Sequence, residues 1–110
     1  MSQTQFETQI KKKRIYRQGD VILEQIEYDL KDLELYARFV SDKLEISSEN
    51  GNKHVMSGVK VYNYHRRQLV VVEKPTQLVH EQHPIIVVTQ GIYELRFVRD
   101  WLLRESRPYD

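Results

Sequence analysis

Short apolar runs separated by turn residues recur along the chain after residue 13. The strand-like runs cover residues 21–26, 44–47, 53–56, 59–64, 69–73, 77–80, 85–88 and 92–98. Most are rich in β-branched and tyrosine side chains, and such short runs bounded by turn residues favour strands over helices. The sequence therefore predicts an all-β domain, mainly antiparallel, folded as a small barrel or sandwich.

The last apolar run indicates which of its faces is buried. Tyr93, Leu95 and Phe97 occupy every second position, and Glu94 and Arg96 lie between them. Successive side chains of a strand point to opposite faces of the sheet. We therefore expect the three apolar side chains to face the core.

Residues 29–40 carry two competing patterns. Asp29 can cap a helix whose apolar residues recur at helical spacing (Leu30, Leu33, Ala37 and Val40). Leu35, Ala37 and Phe39 also alternate as they would in a strand. We expect a short helix or irregular segment here, followed by a strand near residues 44–47. A second short helix is expected near the C-terminus, around residues 101–103.

Turn residues divide the strands. Residues 16–20 are typical of a turn, because Gly19 tolerates positive φ and Asp20 can bond its neighbouring backbone. The Asn50-Gly51 pair favours a two-residue hairpin. Residues 1–12 are expected to form a flexible basic tail, and residues 13–110 a single β-rich domain.

Composition limits the kinds of site that the chain can form. The 110 residues include no cysteine, which excludes thiolate metal sites, cysteine nucleophiles and disulfides. The formal net charge is +1, so no global positive field would attract nucleic acid. No apolar stretch approaches the roughly 18 residues that span a bilayer, and no signal region is evident. We expect a soluble cytoplasmic protein without membrane contact, which could cover its sheet edges by forming a homo-oligomer.

Two of the four histidines flank Glu81 and Gln82. His80 and His83 would face opposite sides of a straight strand, but Pro84 disfavours such a strand. A tight turn at Glu81-Gln82 would make them a cross-strand pair with Cβ atoms about 5 Å apart. Glu-Gln is poor chemistry for such a turn, so a wider connection is an equal alternative. The histidines could also be surface residues that only bond backbone.

A divalent metal site is the first functional hypothesis for these histidines. A zinc or iron centre needs three or more protein ligands, so His54 is the favoured partner of His80 and His83, with Glu81 or Glu49 as a carboxylate. A Zn, Mn or Fe ion with an open water position would make the protein a hydrolase, with Glu81 as ligand or general base. Without a metal, His80 and His83 would act as acid and base on a small molecule or nucleotide.

Basic and aromatic residues suggest a second function. Tyr64, Arg66 and Arg67 are close in sequence, and Lys53 precedes His54. Such side chains suit phosphate binding and base stacking. They predict either a metal-independent site for nucleotide or RNA processing, or a non-enzymatic adaptor of a mobile-element or defence system that binds protein or nucleic acid. Ordinary strand propensity also explains the tyrosine.

Two segments resemble an uncharacterised family of small prokaryotic and phage-associated proteins. They are residues 16–23, YRQGDVIL, and residues 68–101, QLVVVEKPTQLVHEQHPIIVVTQGIYELRFVRDW. Proteins of that family open with Arg-Gln-Gly-Asp-Val, carry Gly-His-Ala-His in the middle of the chain, and end with His-Glu-Glu-His.

The resemblance implies a histidine site. His80, Glu81 and His83 fall on the family's last motif, and residues 51–54, Gly-Asn-Lys-His, fall on the middle one. His54 therefore matches the second histidine of that middle motif, whose first histidine is an asparagine here. The implied site consists of His54, His80 and His83, and the resemblance implies no particular reaction.

Overall fold

The computed structural model describes residues 13–48 and 51–99. Within them the chain forms, in order, β1 (Ile15–Gln18), β2 (Val21–Ile26), α1 (Leu30–Tyr36), β3 (Arg38–Ser47), β4 (Lys53–Tyr64), β5 (Arg67–Val72), β6 (Thr76–His80), β7 (His83–Val88) and β8 (Gly91–Phe97). These strands pair antiparallel. The predicted all-β class with a short helix near residues 29–40 is confirmed.

The strands form one sheet that curls into a nearly closed barrel. Its order is β1-β2-β8-β5-β4-β6-β7, and β3 also pairs with β4. β4 has 12 residues, so it is long enough to pair with β6 at Val55 and with β5 from Lys60 onward. β1 and β7, at the two ends of the order, lie next to each other without a backbone ladder among the described residues. We call this junction the seam.

Two apolar clusters stabilise the barrel. The inner cluster contains Leu23, Leu44, Met56, Val59, Val61, Val70, Val72, Leu78, Val88 and Tyr93. The outer cluster contains Leu33, Tyr62, Leu69 and Val71. β5 contributes to both, because its alternate side chains point to opposite faces. Burial on both faces explains why β5 is a continuous apolar run rather than an alternating one.

Helix α1 packs on the outer cluster through Leu33, which is fully buried. The side chain of Asp29 caps the helix by accepting a hydrogen bond from the Lys31 backbone N–H at 2.9 Å. The helix ends because Ala37 is extended, with φ −95° and ψ 157°. β3 begins directly afterwards rather than near residue 44, so the placement of Val40 in the helix was wrong. Both patterns in residues 29–40 were present, one after the other.

Two further boundaries differ from the prediction. Residues 16–18 belong to β1, because they pair with β2, and the turn is limited to Gly19 and Asp20. The predicted runs 53–56 and 59–64 form the single strand β4, which passes through Gly58 with φ +73° where its pairing with β3 is irregular.

A hairpin does join β3 to β4, as the Asn-Gly signal predicted. Its connection is wider than a two-residue turn, because the Ser48 N–H bonds the Asn52 carbonyl and three residues lie between them. Gly51 has φ +92°, which suits the last position of a three-residue loop. Asn50 lies outside the described residues, as do the predicted tail at residues 1–12 and the C-terminal helix around residues 101–103.

The alternation predicted for β8 is confirmed at its centre. Tyr93 is fully buried in the inner cluster, and Leu95 packs against that cluster. Glu94 faces the other side, where it is buried by ion pairing rather than exposed: its carboxylate lies 3.0 Å from Arg67 and 3.4 Å from Arg96. Arginine side chains therefore cover this carboxylate.

Candidate functional site

A cavity opens at one end of the barrel, where hairpin ends meet. Its volume is about 460 Å³, which is within the range of small-molecule sites. Polar residues line it from the β1–β2 turn, the β3–β4 hairpin, the β6–β7 hairpin and the segment after β8: Asp20, Ser47, Ser48, His54, His80, His83 and Arg99. Val21, Ile46 and Phe97 supply the apolar part of the wall. We call it the histidine cavity.

A two-residue turn brings His80 and His83 together. β6 ends at His80 and β7 begins at His83, and the two residues pair across the hairpin. Their ring centroids are 4.7 Å apart. The tight-turn alternative for Glu81-Gln82 is therefore confirmed, although the residue pair is unusual for such a turn.

A β-bulge allows both histidines to face the cavity while β7 still contributes to the core. Leu78 pairs with Ile86, whereas His80 pairs with His83, so residues 84 and 85 together oppose a single residue of β6. The extra residue of a bulge shifts the alternation of side chains by one position. Ile86 can therefore pack against the inner cluster while His83 turns toward His80. Pro84 suits this position because a bulge does not require its missing N–H.

His54 joins the pair from the second residue of β4. It points to the same side as Met56, and its side chain is only 2% exposed. Its ring centroid lies 4.2 Å from that of His80 and 6.0 Å from that of His83. The structure therefore brings together all three histidines that the sequence singled out.

Gln18, the last residue of β1, orients His54. Its Nε2 donates hydrogen bonds to the backbone oxygens of Leu78 and Pro84, each at 2.9 Å. Its Oε1 lies 2.9 Å from Nδ1 of His54. Because a carbonyl oxygen only accepts, Nδ1 of His54 must carry the proton and donate it. Nε2 of His54 then keeps its lone pair.

His80 is hydrogen-bonded through both ring nitrogens. The backbone N–H of Gln82 donates to Nδ1 at 3.1 Å. Nε2 lies 3.0 Å from the Ser48 hydroxyl, whose own proton is donated to the Asn52 carbonyl at 2.6 Å. Nε2 of His80 is therefore the donor to Ser48. His80 and His54 thus carry their protons on opposite ring nitrogens.

The surroundings of His54 favour its neutral form. Burial lowers the pKa of its imidazole from the ordinary value of 6.5. Positive charge on His80 and His83 lowers this pKa further, and the Asp20 carboxylate opposes the shift. His54 is therefore unprotonated at Nε2 near pH 7, and that lone pair is available to a ligand.

The three rings are not arranged as a ready metal centre. Within residues 13–48 and 51–99, no group of three or more His, Asp or Glu side chains is placed to hold a metal ion. One physical reason is that both nitrogens of His80 are engaged by Gln82 and Ser48. A metal shared by all three histidines would require His80 to release one of these partners.

Two of the predicted site residues lie outside the cavity. Glu81 is exposed in the β6–β7 turn and is not part of the cavity wall, which does contain the carboxylate of Asp20. Glu49, the other carboxylate that the sequence offered, lies outside the described residues. Lys53 is exposed and precedes His54 on β4, so the two side chains point to opposite faces. The structure thus places Glu81 outside the cavity, and the phosphate-binding role expected of Lys53 stays a prediction.

Three of the predicted nucleic-acid residues lie at or just beyond the opposite end of β4, namely Tyr64, Arg66 and Arg67. Tyr64 is ten positions from His54, which corresponds to roughly 30 Å at about 3.3 Å per residue. Tyr64 packs against Tyr28 with ring centroids 5.4 Å apart, and Arg67 pairs with Glu94, while Arg66 is exposed. With Lys53 at the cavity end, these residues do not form one continuous surface. Their binding of nucleic acid or phosphate stays a prediction.

Several residues that line the cavity or hydrogen-bond its histidines were not identified from the sequence. Gln18 and Asp20 lie within the YRQGDVIL segment, one of the two segments that carried the resemblance in the sequence, and that was the available signal. Ser48 and Arg99 line the cavity without any motif that pointed to them. The opening segment and both histidine motifs therefore meet in one place.

These features define a small antiparallel β-barrel domain with a histidine-lined cavity at the end of its hairpins. A family model described as Domain of unknown function (DUF8820) matches residues 17–97, and the chain belongs to this family. Its membership of an uncharacterised family is thereby confirmed, while the association with phages stays a prediction. No curated protein and no solved structure matches the chain. None of the described helices is long and apolar enough to cross a membrane.

Proposed function

We propose that the histidine cavity binds a divalent transition metal through His54, His80 and His83. The observation that carries the proposal is the spacing of the rings, whose centroids lie 4.2, 4.7 and 6.0 Å apart. Three imidazoles bound to one tetrahedral zinc ion, at about 2.0–2.1 Å from metal to nitrogen, have ring centres roughly 5 Å apart. The spacing of the three rings is close to this value.

The hydrogen bonding of His54 also suits a metal ligand. Histidine ligands commonly donate their second ring N–H to an oxygen, which fixes the ring and directs the other nitrogen to the metal. Gln18 Oε1 is such an acceptor for His54. The lowered pKa of His54 helps as well, because the metal competes with a proton for the same lone pair.

Binding through His80 requires one exchange of partners. His80 would give up the hydrogen bond from the Gln82 N–H and offer the lone pair of Nδ1 to the metal, while Nε2 keeps its proton and its bond to Ser48. A net hydrogen bond contributes about 1 kcal/mol, which corresponds to roughly fivefold in affinity. The exchange is therefore small beside the affinity of a histidine-bound transition metal. Asp20, which lines the same cavity, is a candidate for a fourth ligand.

Metal analysis of the purified protein tests this proposal. We expect near-stoichiometric zinc, manganese or iron after growth in metal-replete medium, and its loss in His54→Gln and in His83→Gln. His65→Gln is the matched control, because His65 is exposed in the β4–β5 turn at the other end of the barrel. A parent protein that takes up no metal under these conditions would contradict the proposal, and so would loss of metal from the control.

The hydrolase form of the proposal adds a water molecule. A metal held by three histidines can keep a further position for water, whose pKa a zinc ion lowers to about 7. The cavity has space for a small polar substrate beside it, and Arg99 lies in the wall. Hydrolysis that depends on added metal and disappears in His54→Gln would support this form. Metal binding without any such activity would contradict the hydrolase form and support a metal-binding protein that is not a hydrolase.

A metal-free site is the second candidate function, and one observation favours it. His54 already presents an unprotonated Nε2 to the cavity. By contrast, no three metal-ligating side chains among the described residues are grouped around a single point. In this alternative His54 is a general base for a small polar molecule or nucleotide. Activity that persists in chelator and is lost in His54→Gln would favour this alternative over the metal.

A further inference from the structure

Gln18 has hydrogen-bond partners on three other strands. It is 2% exposed, and its amide reaches the backbone of β6 at Leu78, the backbone of β7 at Pro84 and the ring of His54 on β4. A glutamine amide has two N–H donors and one accepting oxygen. Both donors and the oxygen are used here, so the amide group has no unsatisfied atom.

The amide cannot be turned over without losing these bonds. In the reversed orientation, its oxygen would face the carbonyls of Leu78 and Pro84, and its NH₂ group would face His54. Two acceptors would then oppose an acceptor inside the protein, where unmade hydrogen bonds cost about 1–3 kcal/mol each. The two backbone carbonyls therefore decide which amide atom His54 meets.

We infer that Gln18 is a positioning residue that fixes His54 in the tautomer protonated at Nδ1, so that Nε2 is presented to the cavity. The inference deepens the proposed metal function and rests on it only for the identity of the ligand. The ring nitrogen that carries the proton in a histidine is set by the hydrogen bond of the other nitrogen. Here that bond is in turn fixed by backbone groups of β6 and β7.

The hydrogen bonds that fix the tautomer of His54 also help to close the barrel. Leu78 and Pro84 lie across the seam from β1, and the Gln18 side chain spans it. The Pro84 carbonyl belongs to the bulge that turns His83 toward His80. One side chain thus holds the seam together and sets the donor atom of His54.

Nuclear magnetic resonance of the histidine rings tests the inference in metal-free protein. Long-range proton–nitrogen spectra, recorded near pH 7 in chelator, distinguish a protonated from an unprotonated ring nitrogen. We expect the proton of His54 on Nδ1 and that of His80 on Nε2. A parent protein with the His54 proton on Nε2 would overturn the inference without any variant being needed.

Variants separate positioning from packing. Gln18→Met keeps the length of the side chain but removes both the acceptor and the donors, and we expect His54 to lose its preference for Nδ1–H. Gln18→Glu keeps an acceptor, so Nδ1 should stay protonated although the seam is weakened. Gln77→Met, at an exposed position of β6, is the matched control.

An unchanged His54 tautomer in folded Gln18→Met would overturn the inference, and so would loss of the Nδ1 proton in Gln18→Glu. Because each spectrum is recorded without metal, failure of metal binding leaves the inference intact. Conversely, a wrong tautomer would not contradict bound metal, which is measured separately.

Discussion

Replacing Gly19 by alanine tests the packing at the centre of the site. Gly19 lies in the β1–β2 turn with φ +60°. A Cβ added there would lie 2.7 Å from His83 Nε2 and 3.3 Å from His54 Cε1. Gly58 has a similar φ of +73°, but nothing lies within 4 Å of its added Cβ. Gly58→Ala is therefore a matched control that carries the backbone cost without the contact.

The two substitutions should differ by the steric term. A left-handed φ costs an L-residue about 1–2 kcal/mol, and both variants pay it. Forcing an extra carbon against packed side chains adds typically 1–3 kcal/mol. We expect Gly19→Ala to lower the free energy of unfolding by about 2–5 kcal/mol and Gly58→Ala by about 1–2 kcal/mol. His83 cannot move away freely, because its ring contacts that of His80.

Chemical denaturation of both variants measures this difference. A third comparison uses His83→Ala as the background: there the cost of Gly19→Ala should fall toward that of Gly58→Ala, because the nearer of the two rings is gone and only the 3.3 Å approach to His54 remains. Equal costs of the two glycine substitutions in the parent background would refute the reasoning. An undiminished cost of Gly19→Ala in the His83→Ala background would refute it as well.

Three further predictions concern other parts of the molecule. Leu33→Ala should lower the free energy of unfolding by about 2–5 kcal/mol, because Leu33 is the buried residue through which α1 packs on the sheet. Leu35→Ala is its control: the Leu35 side chain is 72% exposed, so the same denaturation assay should show a change of less than about 0.5 kcal/mol. In chelator, the free energy of unfolding should fall as the pH drops below 6.5. Folding lowers the pKa of His54, so the unfolded chain binds the proton more readily than the folded one. Denaturation at a series of pH values should show this fall in the parent protein and a smaller fall in His54→Gln. The pKa of Tyr28 is raised to about 12, chiefly by the hydroxyl group of the neighbouring Tyr64, whose ring centroid lies 5.4 Å from that of Tyr28. Stability from this group should therefore be lost as pH rises from 10 toward 12, and ultraviolet titration of Tyr64→Phe should show Tyr28 ionising nearer to 10.

The sequence predicted the fold class because the strands carry their own local signals. β8 alternates as a half-buried strand does, and the apolar run of β5 is that of a strand buried on both faces. The boundaries of helices and strands were predicted less well where one element follows another with almost no residues between them. Helix α1 and β3 are separated by Ala37 alone, so their patterns overlap in the sequence.

The histidine site could be predicted in part. The positions of His80 and His83 beside a two-residue turn decide their pairing, and a short-range pattern is enough to see it. The bulge at Pro84 and the role of Gln18 could not be derived in this way. Both depend on contacts across the seam, where residues 60 or more positions apart meet. Spacing along the chain carries no information about such contacts.

Closure of the barrel by side chains has a consequence for local unfolding. Backbone ladders join the other strands, whereas β1 reaches β7 and the segment after it through Gln18 and through the hydrogen bond between Tyr16 and Thr89 at 2.9 Å. Regions with few backbone hydrogen bonds open at a lower free energy than the rest of a protein. Hydrogen exchange should therefore detect the seam as a separate unit that opens before global unfolding, and each opening would dismantle the histidine cavity while most of the sheet stays intact. A ligand that needs all three histidines would slow that opening in proportion to its affinity.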